Sequence, residues 1–221
     1  MLENKETTSL KSLLEAKKAD FELNADAHKK TVYKEGIDAV RKSGVVGKAK
    51  QVGEEAPDFV LKNALGNNVA LKDYLKKGKV VLTWYRGGWC PYCNITLQKL
   101  LQEVPNFKAN GAHLLALTPE LPDRSMDTAE KHGLQFEVLS DVGNEVAKLY
   151  GIVFKLTDEV ADIYDKSFGM GNYNGDNSQE LPLAATYIID GEGKIQYAFL
   201  DADYRNRAEP AELVRFLKDL K

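Results

Sequence analysis

Cys90 and Cys93 are the only two cysteines in the chain, and two residues separate them. A disulfide between such close neighbours constrains the unfolded chain very little, which argues against a purely structural bridge. The pair follows an apolar, β-branched run and comes at the start of a segment with helical spacing. Free backbone N–H groups and the positive end of the helix dipole stabilise a thiolate at such a position. The spacing and the context therefore predict a redox-active dithiol.

Two other interpretations of the cysteines remain open from the residues alone. The pair could be half of a zinc site, but the three histidines, His28, His113 and His132, are not at ligand spacing. The cysteines could also be buried structural thiols, although the flanking glycines and the helix end disfavour this. We expect no metal and no cofactor.

Several neighbours of the pair could support its chemistry. Arg86 could supply a local positive charge, or it could be a surface arginine beside a bend. Trp89 and Tyr92 could cover the sulfurs or simply pack the end of the strand. Arg205 and Arg207 could reach the pair in the folded chain, but we expect both on the solvated surface.

The elements that must position the dithiol alternate between strands and helices. Strands are predicted at 56–61, 69–71, 79–85, 113–118, 136–139, 186–189 and 195–200, and helices at 90–104, 124–132, 144–150, 156–164 and 209–220. The glycine-rich stretch 169–179 is predicted to be a loop. This order indicates an α/β protein, a three-layer α/β/α sandwich with a mixed central sheet.

Residues 1–50 form a separate, amphipathic helical pattern. We therefore divide the chain into an N-terminal helical extension, 1–50, and one domain, 51–221. The apolar stripes of the extension should pack on this domain or bridge two subunits, which leaves a homodimer open.

Composition excludes several classes of protein. The chain has 221 residues, of which 43% are apolar and 29% charged, with a net charge of −3. It lacks the concentrated basic excess of a nucleic-acid-binding protein and the long apolar runs of a membrane protein. Since the N-terminus shows no signal-peptide pattern, we expect a cytoplasmic protein without a membrane or nucleic-acid partner.

Four segments together resemble a known family. They are 56–59 (Ala-Pro-Asp-Phe), 84–93 (Trp-Tyr-Arg-Gly-Gly-Trp-Cys-Pro-Tyr-Cys), 186–190 (Thr-Tyr-Ile-Ile-Asp) and 193–195 (Gly-Lys-Ile). They look like the peroxiredoxin-like branch of the alkyl hydroperoxide reductase/thiol-specific antioxidant (AhpC/TSA) family, over residues 52–220. The resemblance implies a thioredoxin fold. It also implies hydroperoxide reduction or thiol–disulfide exchange. We expect a dithiol reductant such as thioredoxin to regenerate the pair after oxidation.

Two family motifs fit the cysteines in different ways. In the peroxiredoxin pattern P-x-x-x-T-P-x-C, Cys93 takes the peroxidatic position and Pro91 matches, while Cys90 replaces the threonine and Arg86 the first proline. In the thioredoxin pattern W-C-x-x-C, Trp89 and Cys90 match, and the first cysteine attacks.

The chain departs from both motifs elsewhere. Ala184 occupies the place where peroxiredoxins carry an arginine and thioredoxins a cis-proline, and Trp84 replaces the buried aspartate of thioredoxins. Our leading hypothesis is a thiol peroxidase in which Cys93 attacks the peroxide and Cys90 resolves the sulfenic acid. The alternatives are a thiol–disulfide oxidoreductase with Cys90 attacking, and a non-catalytic redox-sensing or binding module.

Overall fold

The structure is a computed structural model that describes residues 8–220. Within this range the α-helices are α1 (Leu10–Asn24), α2 (Ala27–Ser43), α3 (Val45–Lys48), α4 (Leu71–Leu75), α5 (Pro91–Ala109), α6 (Pro122–His132), α7 (Glu145–Leu149), α8 (Asp158–Phe168), α9 (Met170–Asn174) and α10 (Pro210–Asp219). The strands are β1 (Val60–Asn63), β2 (Asn68–Ala70), β3 (Lys79–Trp84), β4 (Ala112–Thr118), β5 (Glu137–Ser140), β6 (Val153–Lys155), β7 (Glu180–Pro182), β8 (Thr186–Ile189) and β9 (Ile195–Phe199). A short 3₁₀-helix covers Val142–Asn144.

Seven strands form a mixed sheet with the order β2-β1-β5-β4-β3-β8-β9. Strand β4 pairs in parallel with β3 and β5, and the other neighbours pair antiparallel. Successive side chains of a strand point to opposite faces, and both faces of β3 are covered. Val81 packs with α5 and α10, whereas Val80 and Leu82 belong to the core on the other face. The predicted three-layer sandwich with a mixed sheet is confirmed.

The prediction of a loop over 169–179 is wrong in its first half, where α9 forms. Gly169 and Gly175 lie in the left-handed region, at φ 67° and 71°, and they begin and end this one-turn helix. The Tyr173 carbonyl accepts a hydrogen bond from the Leu121 N–H at 2.8 Å. Further along, β7 pairs antiparallel with β6 in a separate two-stranded ribbon. Sequence periodicity missed these short elements because tertiary contacts stabilise them.

The N-terminal helices pack on their own chain. Leu10 and Leu14 of α1 are 1% and 3% exposed, and Tyr33 and Ile37 of α2 are also buried. Helix α1 packs against α5, and α2 packs against α8. The Glu209 carboxylate accepts hydrogen bonds from the first two N–H groups of α1, at 3.2 and 3.0 Å. No helix in the described residues is both long enough and apolar enough to cross a bilayer.

We expect truncation of the chain to a start at Val52 to lower the melting temperature, because the sheet core would lose its buried contacts with α1 and α2. Point variants test the same packing in the full chain. Leu14→Ala should cost about 2–4 kcal/mol of unfolding free energy, and Leu23→Ala, on the same helix but 82% exposed, less than about 0.5 kcal/mol. Denaturant unfolding measures both, and equal effects would contradict the packing.

Candidate active site

A sharp bend places the cysteines at the start of α5. Gly87 lies directly after Arg86 with φ 146°, a conformation that favours glycine. A Cβ atom on Gly87 would come within 2.2 Å of the Trp89 indole nitrogen, so the bend also needs the missing side chain. Cys90 is the N-cap residue of the helix, and Pro91 is its first residue, where the missing N–H has no cost.

Each cysteine sulfur contacts an arginine. Both cysteine side chains are fully buried. Arg86 Nη2 donates to Cys90 Sγ at 3.2 Å, and Arg207 Nη2 lies 3.5 Å from Cys93 Sγ. The structure therefore brings together the dithiol and two cationic groups.

Arg86 is a buried cation, 2% exposed, and not a surface arginine. Its Nη1 donates to the Tyr164 hydroxyl at 3.0 Å, and its guanidinium lies 3.8 Å from the centroid of the Tyr204 ring. It forms no salt bridge with a carboxylate of residues 8–220. A buried charge without a counter-ion is strongly unfavourable, so a thiolate at Cys90 is the anion that best compensates it.

The two thiols have opposite pKa shifts. Burial opposes ionisation of Cys90, but the hydrogen bond from the Cys93 thiol and the positive charge of Arg86 prevail, so its pKa lies well below the usual value. Burial raises the pKa of Cys93 well above its usual value, and the negative charge of Cys90 adds to this rise. These directions, together with the 3.2 Å contact of Arg86 with Cys90, favour Cys90 as the cysteine that ionises first.

The expectation that Arg207 lies on the solvated surface is wrong. Besides contacting Cys93, its Nη1 donates to the carbonyl oxygens of Tyr204 and Asn206, which fix the side chain. Arg205 does not reach the cysteines and instead binds the Asp203 carboxylate at 2.8 Å. Sequence reasoning could not separate the two arginines, because the fold of the segment before α10 decides which one turns inwards.

The aromatic neighbours surround Arg86 and the helix start. The Trp89 ring stacks on Phe168 at 5.5 Å and lies 5.1 Å from the Arg86 guanidinium. The Tyr92 ring contacts Tyr204 edge-on at 5.6 Å. Both side chains are buried and pack the site, whereas Pro91 is exposed.

Sequence reasoning missed Glu120, a fully buried acid beside the bend. Its carboxylate accepts hydrogen bonds from the Gly88 N–H at 2.9 Å and the Thr118 hydroxyl at 3.2 Å. Burial raises the pKa of Glu120 above its usual value. The carboxylate holds the loop that leads to the cysteines. The available signal was an acidic residue two positions after the end of a buried strand.

The family positions that depart from both motifs are apolar here. Ala184 is buried two residues before the start of β8, and the peptide bond before Pro182 is trans, as are all others of residues 8–220. The Trp84 ring packs on Tyr150 at 4.8 Å and therefore fills the core. Position 184 carries no charge here, and the cationic groups beside the cysteines are those of Arg86 and Arg207.

A mixed sheet with a buried dithiol at the start of the helix that follows the inner strand β3 defines a thioredoxin-fold oxidoreductase. The AhpC/TSA family profile matches residues 52–198. Similar proteins include the thiol-disulfide oxidoreductase ResA of Bacillus thuringiensis (strain Al Hakam), 32% identical over 146 residues that cover 66% of this chain and 67% of that protein. A putative peroxiredoxin of Mycobacterium tuberculosis is 27% identical over 146 residues, or 66% of this chain and 82% of that protein.

Solved structures agree with this fold. Peroxidoxin BcpB of Mycobacterium tuberculosis superposes with a TM-score of 0.61 at 18% identity, covering 77% of this chain and 98% of that one. A peroxiredoxin-like protein from Aquifex aeolicus gives 0.60 at 20% identity, covering 80% and 91%. The chain belongs to the AhpC/TSA family, and the resemblance drawn from its motifs is confirmed.

We expect Arg86→Gln to raise the pKa of Cys90 by about one unit or more, because it removes the adjacent positive charge. The titration is best followed by thiolate ultraviolet absorbance in a Cys93→Ser background, where only one thiol titrates. Arg215→Gln is the matched control, because Arg215 is exposed on α10. An unchanged pKa in the Arg86 variant would contradict the proposed ion pair.

The pairing of Arg86 with Cys90 should also make the free energy of unfolding depend on pH. The folded-state pKa of Cys90 is depressed, so its contribution is present in full above the unfolded value of about 8.5 and is lost as pH falls through the folded pKa. We expect the stability gap between the reduced wild type and Cys90→Ser to widen as pH rises across that window. Denaturant unfolding at several pH values measures this gap, and a constant gap would count against ionisation of Cys90.

Proposed function

We propose that the protein is a thiol-dependent peroxidase that reduces hydroperoxides through Cys90 and Cys93. The observation that carries the proposal is the buried contact between the Arg86 guanidinium and the Cys90 sulfur, with the Cys93 thiol beside it. It supplies an ionised nucleophile and an adjacent resolving thiol. The family and its putative peroxiredoxin relatives support the same function.

The first step is attack of the Cys90 thiolate on the O–O bond of the hydroperoxide. The sulfur takes the distal oxygen, the O–O bond breaks, and the departing oxygen takes a proton to leave as an alcohol or water. Arg86 positions the thiolate through Nη2. Its buried Nε has no hydrogen-bond partner among the described residues and can donate to a peroxide oxygen.

The second step is condensation of the Cys90 sulfenic acid with the Cys93 thiol. A disulfide forms and one water leaves, which carries the sulfenic oxygen. The raised pKa of Cys93 suits this role, because the residue keeps its proton while Cys90 is ionised. A thioredoxin-type dithiol then returns two electrons and two protons to the pair.

This order exchanges the roles that the peroxiredoxin motif gives to the two cysteines. That motif assigns the attack to Cys93, but the closer and more deeply buried arginine contacts Cys90. The order agrees with the thioredoxin motif, in which the first cysteine attacks. We therefore propose Cys90 as the peroxidatic residue.

A second candidate function is thiol–disulfide exchange. The same Cys90 thiolate is suited to attack a disulfide, and the ResA relatives are thiol-disulfide oxidoreductases by name. The two functions differ in the oxidant that reaches the buried sulfur. A cytoplasmic location, where thiols stay reduced, suits either function and is part of the proposal.

Stopped-flow mixing of the reduced protein with hydrogen peroxide, an organic hydroperoxide and a small disulfide distinguishes the candidates. We expect peroxide oxidation to be much faster than that of free cysteine at the same pH. Rapid reaction with the disulfide alone would favour the second candidate, and no reaction with any oxidant would indicate a non-catalytic module.

Mass spectrometry of single-cysteine variants tests the order of attack. Cys93→Ser should consume one peroxide and accumulate a sulfenic acid on Cys90, because the nucleophile and Arg86 remain in place. Cys90→Ser should react only as slowly as an ordinary buried thiol. The reverse pattern would return the peroxidatic role to Cys93.

A further inference from the structure

A cavity of about 170 Å³ lies beside the residues that flank the cysteine pair, and neither cysteine lines it. Arg86, whose guanidinium contacts Cys90, lines it together with Trp89. The N-terminal extension contributes Phe21 and Tyr33, which stack on each other at 5.4 Å. The N-terminal extension therefore forms part of the wall of this cavity beside Arg86.

Further aromatic rings make the cavity predominantly apolar. Tyr164 and Phe168 of α8 line it, and so does Tyr204 from the segment before α10. An apolar cavity of about 150 Å³ is large enough to bind benzene. The space beside Arg86 thus matches one aromatic ring or a short branched alkyl group, and it is larger than hydrogen peroxide needs.

Two lysines of the extension, Lys17 and Lys29, also line the cavity, and no acidic residue of 8–220 does. Lys17 forms an exposed pair with Asp20 on its own helix, a contact that is worth little. Lys29 forms no salt bridge with a carboxylate of the described residues, and it lies 5.7 Å from the Tyr33 ring centroid. The charge of the cavity lining therefore favours an anionic group on a bound molecule.

The geometry points to a substrate class: an organic hydroperoxide with an aryl or short branched alkyl body and a carboxylate at its far end. The hydroperoxide lies next to Arg86, the lining residue whose guanidinium contacts Cys90. The apolar body contacts the aromatic rings, and the carboxylate faces Lys17 and Lys29. This inference rests on the proposed peroxidase function and assigns substrate selection to the N-terminal extension.

The kinetic test compares kcat/KM for hydrogen peroxide, cumene hydroperoxide and its para-carboxylate. We expect the order para-carboxylate, cumene hydroperoxide, hydrogen peroxide, from fastest to slowest. Phe21→Ala should lower the ratio of the cumene hydroperoxide value to the hydrogen peroxide value by about fivefold or more, because one wall of the cavity is lost. Leu23→Ala, on the same helix and 82% exposed, should keep that ratio.

Charge reversal tests the carboxylate. Lys29→Glu should remove the preference for the para-carboxylate over neutral cumene hydroperoxide, which we expect to be about two- to fivefold. Lys34→Glu is the matched control, because Lys34 is exposed on the same helix and lies outside the cavity lining.

A binding measurement makes the test independent of turnover and of folding defects. Calorimetry of the reduced protein with cumyl alcohol and its para-carboxylate, the reaction products, should show tighter binding of the carboxylate. Lys29→Glu should abolish this difference without lowering the melting temperature. Equal binding of the two alcohols to the wild type would overturn the carboxylate assignment.

The outcomes separate the two proposals. If no hydroperoxide oxidises the cysteines, the proposed function fails. If hydrogen peroxide reacts at least as fast as cumene hydroperoxide and Phe21→Ala leaves their ratio unchanged, the peroxidase function stands and the substrate class is wrong.

Discussion

The pairing of a buried guanidinium with a buried sulfur is the constraint on which the site depends. Arg86 could not stay out of water without a partner that accepts its charge, and Cys90 lies 3.2 Å away. The aromatic faces around the guanidinium exclude water and add cation–π attraction, with the Tyr204 ring closest at 3.8 Å. Among these groups, Arg86 carries the positive charge that lowers the pKa of Cys90.

This constraint explains why the site extends beyond the central sheet. The sheet and α5 place the two sulfurs, but Tyr164 lies on α8 and Tyr204 precedes α10. Helix α2 packs on α8, where the Tyr33 ring meets Tyr164 edge-on at 5.6 Å. The extension thus supports the residues that bury Arg86 as well as lining the cavity beside it.

The sequence predicts features that local patterns determine. The apolar β-branched run of β3, the strands β8 and β9, and the cysteines at a helix start are each determined within a few residues, and all were predicted. The contact of Arg207 with Cys93, the burial of Arg86 and the cavity depend on elements distant in the chain. Helix α9 is too short to show a period. The division of the chain at residue 50 stays a prediction.

The Glu209 carboxylate at the start of α1 joins the two ends of the chain, 199 residues apart. Arg207, two positions before it, follows Cys93 by 114 residues. During translation the dithiol therefore leaves the ribosome long before the residues that enclose it. The emerging chain carries two ordinary cysteines, with an arginine still exposed to water. The contact between Arg207 and Cys93 forms only when the segment before α10 has been made and has packed against α5, so a polypeptide that stops before Arg207 lacks this part of the electrostatics of the site.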